Sequence, residues 1–160
     1  MSGEKRQCLA VIRIRGSVGL DKEREYTFKL MRLTRKNHAV LIENTPSNLG
    51  SIQKIKDYAT WGEVTPDTIS LLLEKRGMLE GGDKLTENYV KEALGYSSLN
   101  ELSQAIRESK VKITGLPKVK PIFRLHPPRK GFRGSVRKPY PEGHLGYRGE
   151  AINQLIAKMV

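Results

Sequence analysis

The sequence predicts an α+β protein: a two-layer β-α-β-α-β core, a helical extension and a long basic loop rich in proline and glycine. Three observations predict it. Short apolar runs at 8–15, 38–43 and 60–64 read as strands. Two stretches of helical spacing, 22–36 and 47–59, lie between them. Residues 117–149 hold six of the eight prolines and five of the fifteen glycines, which no helix tolerates.

Cys8 to Arg15 alternates, with Cys8, Ala10, Ile12 and Ile14 on one face and Leu9, Val11, Arg13 and Arg15 on the other. In the first helix Tyr26, Leu30 and Leu33 share the expected inward face, and Asn37 stops it. His38–Glu43 is the second strand. Asn44-Thr-Pro-Ser turns into the second helix, with Ser47 the expected N-cap and Leu49, Ile52, Ile55 and Ala59 apolar. Thr60–Val64 is the third strand.

Thr65-Pro66 caps a helix that turns Ile69, Leu72 and Leu73 inward. Thr86 opens another, carrying Tyr89, Val90 and Ala93 and stopped at Gly95. Ser98 and Glu101 have capping-box spacing ahead of Leu99, Leu102 and Ile106. A last helix over 150–160 has Ile152, Leu155, Ile156 and Met159 apolar. The expected units are a core at 1–64, a helical extension at 65–116, a basic loop at 117–149 and a terminal helix at 150–160.

The chain has 160 residues and a net charge of +12. That length suits one domain burying roughly 70% of its unfolded surface. No run approaches the roughly 20 apolar residues of a membrane span, and the first residues lack the apolar segment of a secretory signal. A single cysteine, Cys8, excludes a disulfide scaffold and fits a reducing cytosol. The expectation is a cytoplasmic protein with a polyanionic partner and no membrane association.

The charge is unevenly placed. Residues 1–60 carry a net +6, residues 61–108 a net −4, residues 109–116 a net +2 and residues 117–149 a net +8. The basic loop supplies Arg124, Arg129, Lys130, Arg133, Arg137, Lys138 and Arg148 as candidate phosphate contacts. Phe123, Phe132, Tyr140 and Tyr147 alternate with them, and such aromatics either stack on bases or pack on the domain. A disordered, solvating tail is the plain alternative, but the chain returns to an amphipathic helix, so the loop has an anchored end. If about six cations reach phosphates, affinity falls with salt at a log–log slope of roughly −4.

In the core, Arg13 and Arg15 either grip RNA or form an ordinary solvated strand end. Arg32, Arg35, Lys36 and His38 gather where the first helix meets the second strand, and part of that cluster complements the helix dipole. Ser47 at a helix start could hold a phosphate on backbone N–H groups, with Lys54 and Lys56 further along; a simple turn and cap is the plainer reading.

An enzyme finds little support. His38, His126 and His144 lack metal-ligand spacing, and His126 is a structural or RNA-contacting group. Cys8 opens an apolar strand with no activating base, and no phosphate-binding glycine motif occurs. No metal or cofactor is expected. Lys130-Gly131-Phe132 begins like an RNA-recognition-motif signature, but Arg133-Gly134-Ser135 breaks it.

Arg32-Leu-Thr-Arg-Lys-Asn-His-Ala-Val-Leu-Ile-Glu-Asn-Thr-Pro-Ser-Asn-Leu-Gly-Ser-Ile-Gln-Lys-Ile-Lys-Asp-Tyr58 resembles the signature stretch of the large-subunit ribosomal protein L-thirty family. Arg124-Leu-His-Pro-Pro-Arg-Lys-Gly131 is similar to a second motif of its longer archaeal and eukaryotic-type members, and Ala10-Val-Ile-Arg-Ile-Arg-Gly16 also matches. A bacterial-type member would stop near Val64, and the eukaryotic form carries a long basic arm before the first strand, so the archaeal type fits best. The resemblance implies a core related to the ferredoxin-like arrangement. It also implies a non-catalytic, monomeric place in the large ribosomal subunit, bound to large-subunit ribosomal RNA near the 5S RNA and to neighbouring proteins. A free RNA chaperone or processing factor of the same fold is the alternative. An RNA-cleaving enzyme using His126 and His144 is a second.

Overall fold

The first strand, β1 (Cys8–Arg13), is buried along its whole length, so both of its alternating faces must be covered. The structure is a computed structural model that describes residues 8–132 and 135–160. Among the described residues, β1 sits inside a six-stranded sheet. Its antiparallel neighbours are β2 (His38–Glu43) and β3 (Ala59–Glu63), with Val11 opposite Val40 on one side and Trp61 on the other.

Under one face, Leu9 and Val11 join Phe28, Leu33, Val40, Ile52, Ile55, Tyr58 and Trp61. These come largely from α1 (Lys22–Leu30), α2 (Pro46–Lys54) and the segments that follow them. Under the other face, Cys8, Ala10, Ile12 and Ile14 meet the rest of the core. That cover comes from α3 (Pro66–Arg76), α4 (Glu87–Glu92), α5 (Leu99–Arg107) and α6 (Ala151–Met159). The α+β class and the expected β-α-β-α-β order stand, and α3 to α6 add a layer on the far side of the sheet.

Helix caps follow the sequence closely. The hydroxyls of Thr65, Thr86 and Ser98 each accept from the backbone N–H three residues on. Glu101 reaches back to the N–H of Ser97 rather than Ser98, so the capping box is shifted by one residue. Ile152, Leu155, Ile156 and Met159 of α6 are buried as their spacing requires.

Four local expectations are corrected. Tyr26 and Leu30 are 63% and 64% exposed, while Thr27 and Phe28 turn inward. The helix ends at Leu30, and Arg32 turns the chain at φ 63°, so Leu33 reaches the core from outside the helical wheel. In α2 the cap is Thr45, with Pro46 at the first helical position, and not Ser47. Ala59 belongs to β3 because α2 stops at Lys54.

The basic segment does not run freely over the surface. β4 (Phe123–Arg124) pairs with the start of β2, and β6 (Gly143–Tyr147) pairs parallel with β3. β5 (Ser135–Pro139) lies against β6 in an irregular pairing, Ser135 opposite Gly143 and Pro139 opposite Leu145. Aliphatic and aromatic residues among the cations explain this anchoring: Phe123, Leu125 and Leu145 are all buried. Gly62 in β3 permits the closest approach. A Cβ there would lie 1.9 Å from the Gly149 carbonyl oxygen, so only glycine lets the chain before α6 rest on β3.

Candidate nucleic-acid interface

Several expected contact residues are committed to the protein itself. Arg13 is 2% exposed; its guanidinium donates to the carbonyls of Arg15 and Leu33 and to the Ser17 hydroxyl, and covers the Phe28 ring at 4.1 Å. The sequence pattern predicts a solvated or RNA-facing strand end here. The β1–α1 connection, which brings Ser17, and the α1–β2 connection, which brings Leu33, cover that end instead. Burial lowers its pKa.

Phe123 is fully buried in the core and is not available to stack on a base. Arg148 is 8% exposed, donating from Nε to the Thr60 hydroxyl at 2.8 Å and from Nη2 to the His144 carbonyl at 2.7 Å. Burial lowers its pKa too. Tyr147 keeps a half-exposed ring, but its hydroxyl donates to the Glu63 carboxylate at 2.6 Å, which with burial pushes its pKa up to about 12.

The remaining candidates gather in three places. At the first, Arg15, Lys36 and Arg137 line one cleft of about 270 Å³ with Val18, which is 92% exposed. The three cations come from the segment just after β1, the turn before β2, and β5. Arg15 is held there by stacking on Tyr58 at 4.7 Å and by donating to the Asp57 carbonyl. Beside it, β2–β4 pairing sets His38 opposite Arg124. Burial, then Arg124, Arg35 and Arg13, lower the pKa of His38, and its Nδ1 is buried without a hydrogen-bond partner. The exposed Arg35 and Arg124 thus join one cationic neighbourhood from segments almost 90 residues apart.

The second place is a cleft of about 490 Å³ along the outer edge of β2, where Arg32 and Ser47 meet Lys112. Ser47 does not open α2, and the N–H of Asn48 is taken by Thr45 Oγ1, which leaves the helix start fewer donors for a phosphate than expected. Lys54, at the other end of α2, pairs with Glu23 at 3.6 Å, and Lys56 is exposed beyond it. Neither reaches this cleft.

The third, of about 370 Å³, collects Arg129, Lys130, Phe132, Tyr140 and Arg148 along one side of α6. The Arg124–Gly131 stretch is pinned there: the N–H groups of His126 and Arg129 donate to the carbonyls of Met159 and Lys158. Lys130 and Gly131 make the turn at φ 64° and 72°. Phe132 meets the His144 ring edge-on at 4.9 Å, and the Arg148 guanidinium lies 5.2 Å from the Tyr140 centroid. His126 and Lys138 are exposed outside this lining, and Arg133 lies outside the described residues.

Sequence reasoning missed Lys112, Gln154 and Lys158 as cleft residues. The only sequence signal for Lys158 is a cation on the polar side of an amphipathic helix, and nothing there places Arg129 against it. Burial pushes the Cys8 thiol up to about 12, the state of an inert core thiol. Among the described residues no cluster of His, Cys, Asp or Glu could hold a metal ion, and no helix is long and apolar enough to cross a membrane.

Comparison with known proteins identifies the family. The family described as ribosomal protein L30p/L7e matches residues 9–59, from β1 to the start of β3. Proteins named large ribosomal subunit protein uL30 match far more. That of Methanopyrus kandleri is 51% identical over 92% of this chain and its own full length. That of Archaeoglobus fulgidus is 47% identical over 94% of this chain and 98% of its own, and that of Hyperthermus butylicus 46% identical over 94% and 89%. The chain belongs to the uL30 family of large ribosomal subunit proteins, in its archaeal form.

Proposed function

We propose that this protein is a non-catalytic structural constituent of the cytoplasmic large ribosomal subunit, holding folded large-subunit ribosomal RNA by phosphate pairing and base stacking. The observation that carries the reading is the meeting of Arg15, Lys36 and Arg137, distant in sequence, around one small cleft. Three cations around so small a space repel one another unless an anion is present, and phosphate oxygens are the matching chemistry. The exposed cations Arg35, Arg124, Arg129, Lys130 and Lys138 extend the surface on which an RNA would lie. A position near the 5S RNA, contacts with neighbouring subunit proteins and a single copy in the particle are part of the reading, supported by the family resemblance.

Co-sedimentation tests it. Most of the protein should travel with salt-washed large subunits. A predominantly free pool would instead favour an RNA chaperone or processing factor. RNA cleavage by the purified protein, abolished by His126→Ala, would overturn the non-catalytic reading.

A further inference from the structure

We propose that the cavity between the Lys130–Phe132 turn, Tyr140 and α6 is a pocket for a single unstacked nucleotide of the bound RNA. The inference rests on the RNA-binding reading and names the ligand of one part of that surface. The cavity has about 370 Å³, within the range of small-molecule sites and suited to one nucleotide rather than a duplex. Its wall chemistry is divided. Phe132 and Tyr140 offer aromatic surface, while Lys130 and Lys158 bring positive charge to the rim.

A site for phosphate alone has no use for two aromatic rings, and an apolar peptide site has no use for the cations. A nucleotide uses both, because every base has a π face and a charged backbone follows it. Gln154, exposed on α6, supplies a carbonyl and an amide to the same cavity and can pair with a base edge.

The pocket is also held in shape. Arg148, almost fully buried, backs the Tyr140 ring at 5.2 Å while its own guanidinium is fixed by the Thr60 hydroxyl and the His144 carbonyl. Tyr140 is still 41% exposed, which leaves ring surface for a base. In the same lining, Phe132 rests edge-on against His144. The turn that carries Lys130 is tied to α6 through the Arg129 N–H and the Lys158 carbonyl at 3.0 Å. A base therefore meets preset walls, and little ordering cost is left to binding.

The test uses the full chain and two RNA hairpins identical but for one bulged adenosine in the stem. Wild type is expected to bind the bulged hairpin roughly tenfold more tightly, the scale of one stacked base. Tyr140→Ala should remove that preference, so that the bulged hairpin binds no more tightly than the unbulged one; Tyr140→Trp should keep it. Lys36→Ala with Arg137→Ala should weaken both hairpins alike. Gln154→Ala, at an exposed position that cannot disturb the core, should reduce the preference without changing the thermal midpoint. Equal wild-type affinity for the two hairpins, or a preference that survives Tyr140→Ala, overturns the pocket alone. Absence of binding to either hairpin and to a large-subunit RNA transcript overturns the RNA-binding reading and the pocket with it.

Discussion

Arg148 donates its Nε–H to the hydroxyl of Thr60 at 2.8 Å inside the protein, joining residues 88 apart in the chain. The same hydroxyl donates to the Gly146 carbonyl at 2.7 Å, so one side chain ties β3 to both the end of β6 and the guanidinium beyond it. Thr60→Val keeps the shape and deletes both bonds. A buried cation then loses an acceptor, at an expected cost of about 1–3 kcal/mol. Chemical denaturation of the two proteins measures it, and a change below a few tenths would mean that Arg148 finds another partner.

Gly62 and Gly149 are in backbone contact. Gly62→Ala puts a methyl group where the Gly149 carbonyl oxygen stands, so the chain entering α6 must move. The expected loss is about 2–3 kcal/mol. Gly50→Ala is the control: the position lies within α2 and a Cβ there meets nothing within 4 Å. It should stabilise by about 0.5–1 kcal/mol through helix propensity. Equal midpoints for the two variants would contradict the close approach.

His38 should make stability and RNA binding depend on acid in opposite directions. Burial and the Arg124, Arg35 and Arg13 charges hold its pKa below the ordinary 6.5, so the folded protein resists protonating it. Its contribution to stability is therefore fully present above the unfolded value and is lost as pH falls below about 6.5 toward the folded value. A phosphate nearby reverses the local field and raises the pKa, so binding takes up a proton and strengthens as pH falls through this window. A proton NMR titration of His38 with and without RNA should show the upward shift. His38→Gln should remove that part of the pH dependence.

Two arginines of β1 and its continuation should behave differently. Arg15→Ala, together with Lys36→Ala and Arg137→Ala, should lower RNA affinity and flatten the log–log salt slope by roughly 2, with the thermal midpoint nearly unchanged. Arg13→Ala should cost about 2–4 kcal/mol, because the carbonyl of Leu33 loses its donor in a buried site. Salt-series binding and thermal melts on the triple variant and on Arg13→Ala decide it. If Arg13→Ala proved as stable as wild type, its burial would carry no energetic weight.

Much of this was legible in residue spacing. Alternation in β1 and the Thr65, Thr86 and Ser98 caps are local rules, obeyed within a few residues of the signal. Arg13 shows where locality fails: alternation correctly put it beside Val11, but that face is covered by α1, and no charge pattern shows that the Leu33 carbonyl awaits a guanidinium. Tyr26 and Leu30 failed because Phe28, packed edge-on against Tyr58 at 6.3 Å, sets the rotation of a helix with several apolar choices. In the basic loop, the proline and glycine content correctly excluded a helix but said nothing about which strand edge Phe123 or Leu145 would find. The clefts were the least legible, since each is assembled from segments that meet only after the sheet forms.

Among the described residues, β6 is the partner on the outer side of β3 and the last strand to be made. A growing chain that has passed Glu63 must therefore carry an open sheet edge through some 80 further residues of synthesis. Closing so large a loop makes this a late and comparatively slow folding event. Until it happens Thr60 has no Arg148 to hold, α6 has no seat against Gly62, and the pocket beside Tyr140 has no back wall. A chain cut short before Gly143 would lose RNA recognition at that pocket and also display an unprotected β edge, a template for aggregation.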